Sequence, residues 1–340
     1  MNKFKKIGLT ALAASLVSVS AHAGAMSVAG SASMNAGAYS GEGHDGGTTF
    51  SMGNQLTFTG SGELDNGMTV SLSFIQDEGT ATFDNHSVSV SSDAMGTLVL
   101  HGQGGGSATS AMDATAAGNL WDTFDGVGLA TGVTHTNSAP GTNAFMYTLP
   151  EIMEGVSINA SYEPQASGNT NDSGTGWAVT YTGVEGLTAV YSQSDEVGTT
   201  SALSGEQTAW KVSYVYGSFT GTATGSDFDV QTASSDQDVS SYAVSYTVSD
   251  ELSVTYGTET IESGTSGDQD AEYNKLSASY VSGGMTVSAA LAQAENIDHS
   301  TNANADLDYW SLGLSSAFYF NLDTNYIKRA PFKGPFFYSK

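Results

Sequence analysis

"NAFMYTLPEIMEGVSINASYEP", residues 143–164, holds two short runs of alternating apolar and polar residues separated by a turn. In the second run Val156, Ile158, Ala160 and Tyr162 take every other place, with Ser157, Asn159 and Ser161 between them. A period of two marks an extended strand with one apolar and one polar face. Leu149-Pro150-Glu151 and Glu154-Gly155 are the breakers that turn the chain. The apolar face then needs either a protein core or the hydrocarbon of a membrane, and the rest of the chain has to decide which.

The alternation recurs almost without interruption. Met68, Val70, Leu72 and Phe74 enclose Thr69, Ser71 and Ser73; Tyr242, Val244, Tyr246 and Val248 repeat the pattern, as do Leu252, Val254 and Tyr256. Sixteen such segments run from 26–39 to 306–320, most of them near the roughly 9 to 11 residues with which a tilted strand crosses a bilayer. Tight turns such as Asp65-Asn66-Gly67 and Ser282-Gly283-Gly284 alternate with longer polar links, the longest spanning 102–141. An even strand count with short links on one rim and long ones on the other predicts an all-β, sixteen-stranded antiparallel transmembrane barrel.

Composition agrees. Forty-one glycines, abundant Ser and Thr and only five prolines suit a chain of strands and turns. No stretch past residue 23 reaches eighteen apolar residues, which excludes helical spans but not a barrel. Parity alone does not say which face points inward, but a single soluble core stops growing at around 250–300 residues, and Ser- and Thr-rich polar faces suit a wet lumen. Tyr162, Tyr181, Tyr191, Tyr246, Tyr256 and Tyr280 fall on the apolar parity near strand ends, where an interfacial ring belongs. A secreted, soluble β-rich adhesin or lectin is the alternative.

The amino terminus places the protein outside the cytoplasm. Lys3, Lys5 and Lys6, the apolar run Ile7–Val19 and the small-residue site Ala21-His22-Ala23 read as a secretory signal over 1–23. Its removal takes three of the nine basic residues and leaves six against 35 acidic ones, a formal charge of −29 rather than −26. Nucleic acid and anionic lipid are poor direct partners for such a surface, and cations are drawn to it. With no cysteine, disulfides and thiolate metal sites are excluded.

The opening stretch resembles the segment after the third loop of Gram-negative general porins, in which a strand carrying Asn and Tyr meets a Pro-bearing turn, a Gly and a strand ending in Tyr. "GNQLTFTGSGELDNGMTVSLSF" at 53–74 resembles the second hairpin of that family, and "GTLVLHGQ" at 96–103 resembles the strand that leads into its constriction loop. The resemblance covers 24–320. It implies a homotrimer of barrels in the bacterial outer membrane, passive passage of small hydrophilic solutes, no catalysis, and contact with lipid and with lipopolysaccharide through divalent ions. It also implies that the third loop folds into the lumen.

By that resemblance 102–141 is the constriction loop, with Asp113, Asp122 and Asp125 as its acids; a flexible external loop is the other reading. The Ala-rich "SAMDATAAGNLWDTF" at 110–124 predicts a short helix, and Trp121 and Phe124 are the residues to pin it. The family sets a basic cluster on the wall opposite such acids. Here there is no Lys or Arg between Lys6 and Lys211, and Lys211 and Lys275 are the only basic residues in the barrel strands. Both have polar parity, so they face the lumen, either as positive wall charges or as solvated rim lysines. The balance predicts a cation-preferring pore.

The final strand, "DYWSLGLSSAFYF", should close the barrel on the first one, with Trp310, Leu312, Leu314, Phe318 and Phe320 toward lipid. After it, 321–340 carries four of the six mature basic residues and two of the five prolines, an atypical basic tail. His44, His86, His101, His135 and His299 have no metalloprotease spacing. "HGQGGGS" at 101–107 lacks the Lys and helix of a phosphate loop, and no Gly-x-Ser-x-Gly elbow occurs. No cofactor is expected. Asp227 with Asp229, Asp236 with Asp238, Asp268 with Asp270 and Asp306 with Asp308 form acidic pairs open to loop Ca²⁺, or are plain solvated rim charge.

Overall fold

A computed structural model describes residues 26–77, 84–124, 127, 143–164, 173–196, 205–230, 236–302 and 305–321. The leader 1–23, Asp125, His135 and the tail beyond 321 lie outside the described residues. Sixteen long strands follow one another as β1 (Ser27–Gly41), β2 (Thr49–Glu63), β3 (Thr69–Asp77), β4 (His86–Ser92), β5 (Gly96–Gln103), β6 (Ala144–Thr148), β7 (Val156–Glu163) and β8 (Gly174–Tyr181). The second half is β9 (Leu187–Glu196), β10 (Gly205–Tyr216), β11 (Phe219–Val230), β12 (Gln237–Thr247), β13 (Leu252–Ser263), β14 (Ala271–Ser282), β15 (Met285–Glu295) and β16 (Leu307–Asn321). A two-residue strand, His44–Asp45, lengthens the first long link.

Each strand pairs antiparallel with its sequence neighbours, and β16 returns to β1 in unbroken register from Ser27↔Asn321 to Gly41↔Leu307. The sheet is therefore a closed barrel with no free edge. The short rim is built from local turn chemistry. At Asp65-Asn66-Gly67 the Gly67 N–H donates to the Leu64 carbonyl at 2.9 Å, and the φ of +78° that this requires is open to glycine at no steric cost. In the opening stretch Pro150 ends β6 because it brings no N–H to the ladder, and the Leu149 N–H still reaches the Ile158 carbonyl at 2.9 Å.

Burial settles the faces. The six tyrosines of the apolar parity are between 37% and 52% exposed, and Leu72, Val88, Leu98, Trp210, Val244, Leu276 and Leu312 are exposed with them. The apolar side chains thus cover the outside of the cylinder; they do not meet between two stacked layers, which removes the soluble sandwich. Of the closing strand, Trp310, Leu312 and Phe318 stand outward as their parity requires.

The inside is less uniformly polar than the alternation predicts. Val239, Ile261, Ala271, Tyr273, Ala292, Ala294 and Leu307 are buried at inward positions of β12 to β16, in one cluster with Leu120 and Phe124 from the 102–141 link and Ile297 from the link before β16. An inward apolar residue is stable only where something covers it, and here the chain's own loop does so.

Candidate functional site

The described part of the long third loop runs around the inner wall, and its backbone contacts follow strand order. It begins with a 3-10 turn, Ala108–Met112, where the Ala108 N–H donates to Ser161 Oγ on β7 at 2.8 Å. Lys211 Nζ on β10 donates to the Met112 carbonyl at 3.2 Å. The Ala116 N–H then donates to Thr224 Oγ1 on β11, and the Ala117 N–H to Ser241 Oγ on β12, both at 2.9 Å. The Thr115 hydroxyl donates to Glu259 Oε2 on β13, and the Trp121 N–H to Glu259 Oε1 at 3.2 Å. Tyr39 on β1 closes the arc with a bond from its hydroxyl to the Thr123 carbonyl. All these wall residues carry the parity opposite to the exposed aromatic residues, so the segment lies inside the cylinder.

The predicted helix over 110–124 forms only at its end, as α1 (Leu120–Phe124). Asp113, Gly118 and Asn119 have φ of 68°, 88° and 51°, which breaks a helix on both sides of the alanines. The N–H groups that Ala116 and Ala117 would commit to helical bonds go to wall hydroxyls instead. A turn between them is closed by two bonds, Thr115 N–H to Asn119 Oδ1 at 3.0 Å and Asn119 N–H to Thr115 Oγ1 at 2.7 Å. Helix propensity is a weak prior, and tertiary partners override it here.

Of the two predicted anchors, Phe124 is the deeper. It is fully buried, with ring centroids 5.9 Å from Tyr273, 6.0 Å from Tyr39 and 6.4 Å from Tyr309. Trp121 is half-buried against the same cluster and contributes its backbone N–H. Asp113 and Asp122 are both exposed on the loop. The two lysines do face inward, but against the loop rather than across the lumen from it. Lys211 bonds the carbonyl next to Asp113, and the ammonium of Lys275 lies by Gly118 and interacts with the Glu259 carboxylate.

Glu259 was missed by motif reasoning, and so were Tyr39, Ser161, Thr224 and Ser241. It is 1% exposed and accepts bonds from Thr115, Trp121 and Leu120. The signal was present in "YGTETIES": with Tyr256 outward, Gly257, Glu259 and Ile261 must point in. A carboxylate at an inward position beside a strand-interior glycine marks a close backbone approach.

Away from this arc the wall changes character. Ser27, Thr59, Ser61, Ser71, Ser73, Ser87 and Ser89 line a concave surface on the inner side of β1 to β4. They pair across strands, as in Thr59↔Ser73 and Ser71↔Ser89, and carry no charge. The passage is thus flanked by an acidic loop on one side and hydroxyls on the other. Among the described residues no three His, Asp or Glu side chains gather closely enough to hold a metal ion.

Comparison with known proteins agrees with this architecture. A family profile described as Gram-negative porin matches residues 8–274. Among solved structures, an anion-selective porin from Comamonas acidovorans is 18% identical, covers 86% of this chain and 99% of its own, and superposes with a TM-score of 0.65. OmpF of Salmonella typhi, solved with daunomycin, is 15% identical over 87% of this chain and 98% of its own, with a TM-score of 0.66. A loop-deletion mutant of OmpT, an outer membrane protein of Vibrio cholerae, is 16% identical over 86% of this chain and 100% of its own, with a TM-score of 0.62. No curated protein sequence matches the chain.

Proposed function

The chain belongs to the Gram-negative porin family, and we propose that its pore prefers cations and works as one of three identical barrels. Family and fold make it an outer-membrane channel for passive diffusion of small hydrophilic solutes, not an enzyme. The sign of selectivity is a matter of side chains, since the Comamonas relative of the same fold is named anion-selective. The observation that carries our reading is the placement of charge. Asp113 and Asp122 are exposed on the loop, while Lys211 and Lys275 are turned to its underside. Carboxylates open to a water-filled constriction favour cations. The test is the zero-current potential across a bilayer holding the protein in a potassium chloride gradient; a potential of the anion-selective sign would reject the reading.

The trimer is supported by the outer wall. Every Tyr and Trp that stands outward among the described residues lies on β6 to β14 or β16, whereas β1 to β5 present Val28, Met34, Leu56, Leu72, Val88 and Leu98 without an aromatic ring of that kind. A sector whose outward rings are the phenylalanines Phe50, Phe58 and Phe74 lacks the amphipathic Tyr and Trp of an interfacial girdle and is suited to another barrel rather than to lipid. Cross-linking in detergent checks the stoichiometry.

Lipopolysaccharide held through divalent ions, calcium or magnesium, is supported by a row of outward carboxylates at the long-loop ends of β9 to β15. Asp195↔Glu206, Glu206↔Asp229, Asp227↔Asp238, Asp238↔Glu262 and Glu272↔Glu295 are direct cross-strand neighbours. Like charges so placed repel, and a divalent ion shared with a lipid phosphate relieves them. Binding of lipopolysaccharide that does not weaken when a chelator removes magnesium would count against it.

A further inference from the structure

Glu259 stands apart from the other groups that hold the loop. Ser161, Thr224 and Ser241 each offer one neutral oxygen to one backbone N–H. Glu259 offers a buried carboxylate to both ends of the Thr115–Trp121 turn, with the Thr115 hydroxyl on Oε2 and the Trp121 N–H on Oε1. Charge-assisted bonds of this kind are roughly twice as strong as neutral ones. The same carboxylate balances Lys275, whose ammonium lies by Gly118 of the loop.

We propose that Glu259 is the positioning residue of this channel: it fixes where the acidic face of the loop stands, and keeps Lys275 from acting on passing ions, without itself meeting a solute. The proposal rests on the reading of the chain as a diffusion channel narrowed by its third loop. The two carboxylate oxygens accept from the Thr115 hydroxyl and from the backbone of Leu120 and Trp121. An amide has one acceptor oxygen where the carboxylate has two, so Glu259→Gln cannot accept from the Thr115 and Trp121 ends together and leaves Lys275 without its counter-charge.

The experiment is single-channel recording of the refolded full chain and its Glu259→Gln variant. The expected result is loss of a single steady current level and a shift of the zero-current potential toward anions. A second variant adds Ala117→Cys and Gly257→Cys to the first. An ideal Cβ on Gly257 lies 2.7 Å from the Ala117 Cβ, against about 3.8 Å in a disulfide, so a small shift of the loop away from the wall lets the bond form, and the chain has no other cysteine. Oxidation should restore the steady level, and reduction should abolish it again. A folded Glu259→Gln protein with the current, noise and selectivity of the parent would overturn the proposal. Should that variant fail to fold, Thr115→Val removes the same bond from the loop side with the barrel untouched, and unchanged current there is equally fatal. A parent protein that forms no channel at all would instead sink the transport reading.

Discussion

Gly257 of β13 is a seat for Ala117 of the third loop: a Cβ on the glycine would lie 2.7 Å from the alanine Cβ and 3.0 Å from its Cα. Both distances are too short for carbon atoms to share, so the loop touches this strand at its backbone. Gly257→Val should therefore push the loop off the wall while leaving the strand pairings intact. Overpacking of a tight contact costs about 1–3 kcal/mol, which falls on the loop rather than on the barrel. The expected readout is an altered channel conductance with an unchanged temperature for loss of the folded band on gels; a fall in that temperature with normal conductance would contradict this assignment.

The seam between first and last strands makes a separate prediction. Gly30 pairs with Phe318, and a Cβ on Gly30 would stand 2.1 Å from the phenyl ring, which lies flat over the glycine on the lipid side. An aromatic ring covering a strand glycine is a recognised way of completing a sheet surface. Gly30→Leu displaces the ring and is expected to destabilise closure by about 1–3 kcal/mol. Thermal unfolding in detergent reads it as a lower transition temperature, and Phe318→Ala should produce a smaller drop because it adds no clash.

These two contacts mark where sequence reading stops. All sixteen strands were legible, with ends within a few residues, because the period of two and the alternation of short and long links are local signals. The closing of 306–320 on strand one was legible too, from its aliphatic and aromatic alternation alone. The alanines of 110–124 read as a helix because nothing nearby in sequence reveals Thr224 and Ser241, which are 108 and 124 residues away and take the helical donors. For the same reason nothing local in sequence shows that the inward Val239, Ile261 and Tyr273 are the floor of a loop. The lysines were placed on the correct face, but parity gives no angle around the cylinder, so their position beside the loop instead of opposite it was out of reach.

The outward carboxylates predict a magnesium dependence. Asp238 is flanked on both sides, by Asp227 and by Glu262, and each directly opposed like-charge pair costs about 0.2–1 kcal/mol. Asp238→Asn removes two such pairs at once. The parent should lose thermal stability when a chelator strips divalent ions at low salt, and the variant should lose less. Equal losses in both would mean that the row does not hold cations.

Lys211 and Asp113 separate the two roles a charge can have in the passage. Lys211 spends its ammonium on the Met112 carbonyl at 3.2 Å, so its charge serves to hold the chain, whereas Asp113, one residue on, is exposed. Lys211→Met should weaken the grip on the 3-10 turn, by about 1 kcal/mol once partial solvation is allowed for, and leave the sign of selectivity unaltered. Asp113→Asn together with Asp122→Asn should lower the permeability ratio of potassium to chloride, since both carboxylates are exposed on the loop. Zero-current potentials for the two variants, measured in one salt gradient, decide the matter: a large shift from the lysine and none from the aspartates would reverse the assignment, making the wall rather than the loop the source of selectivity.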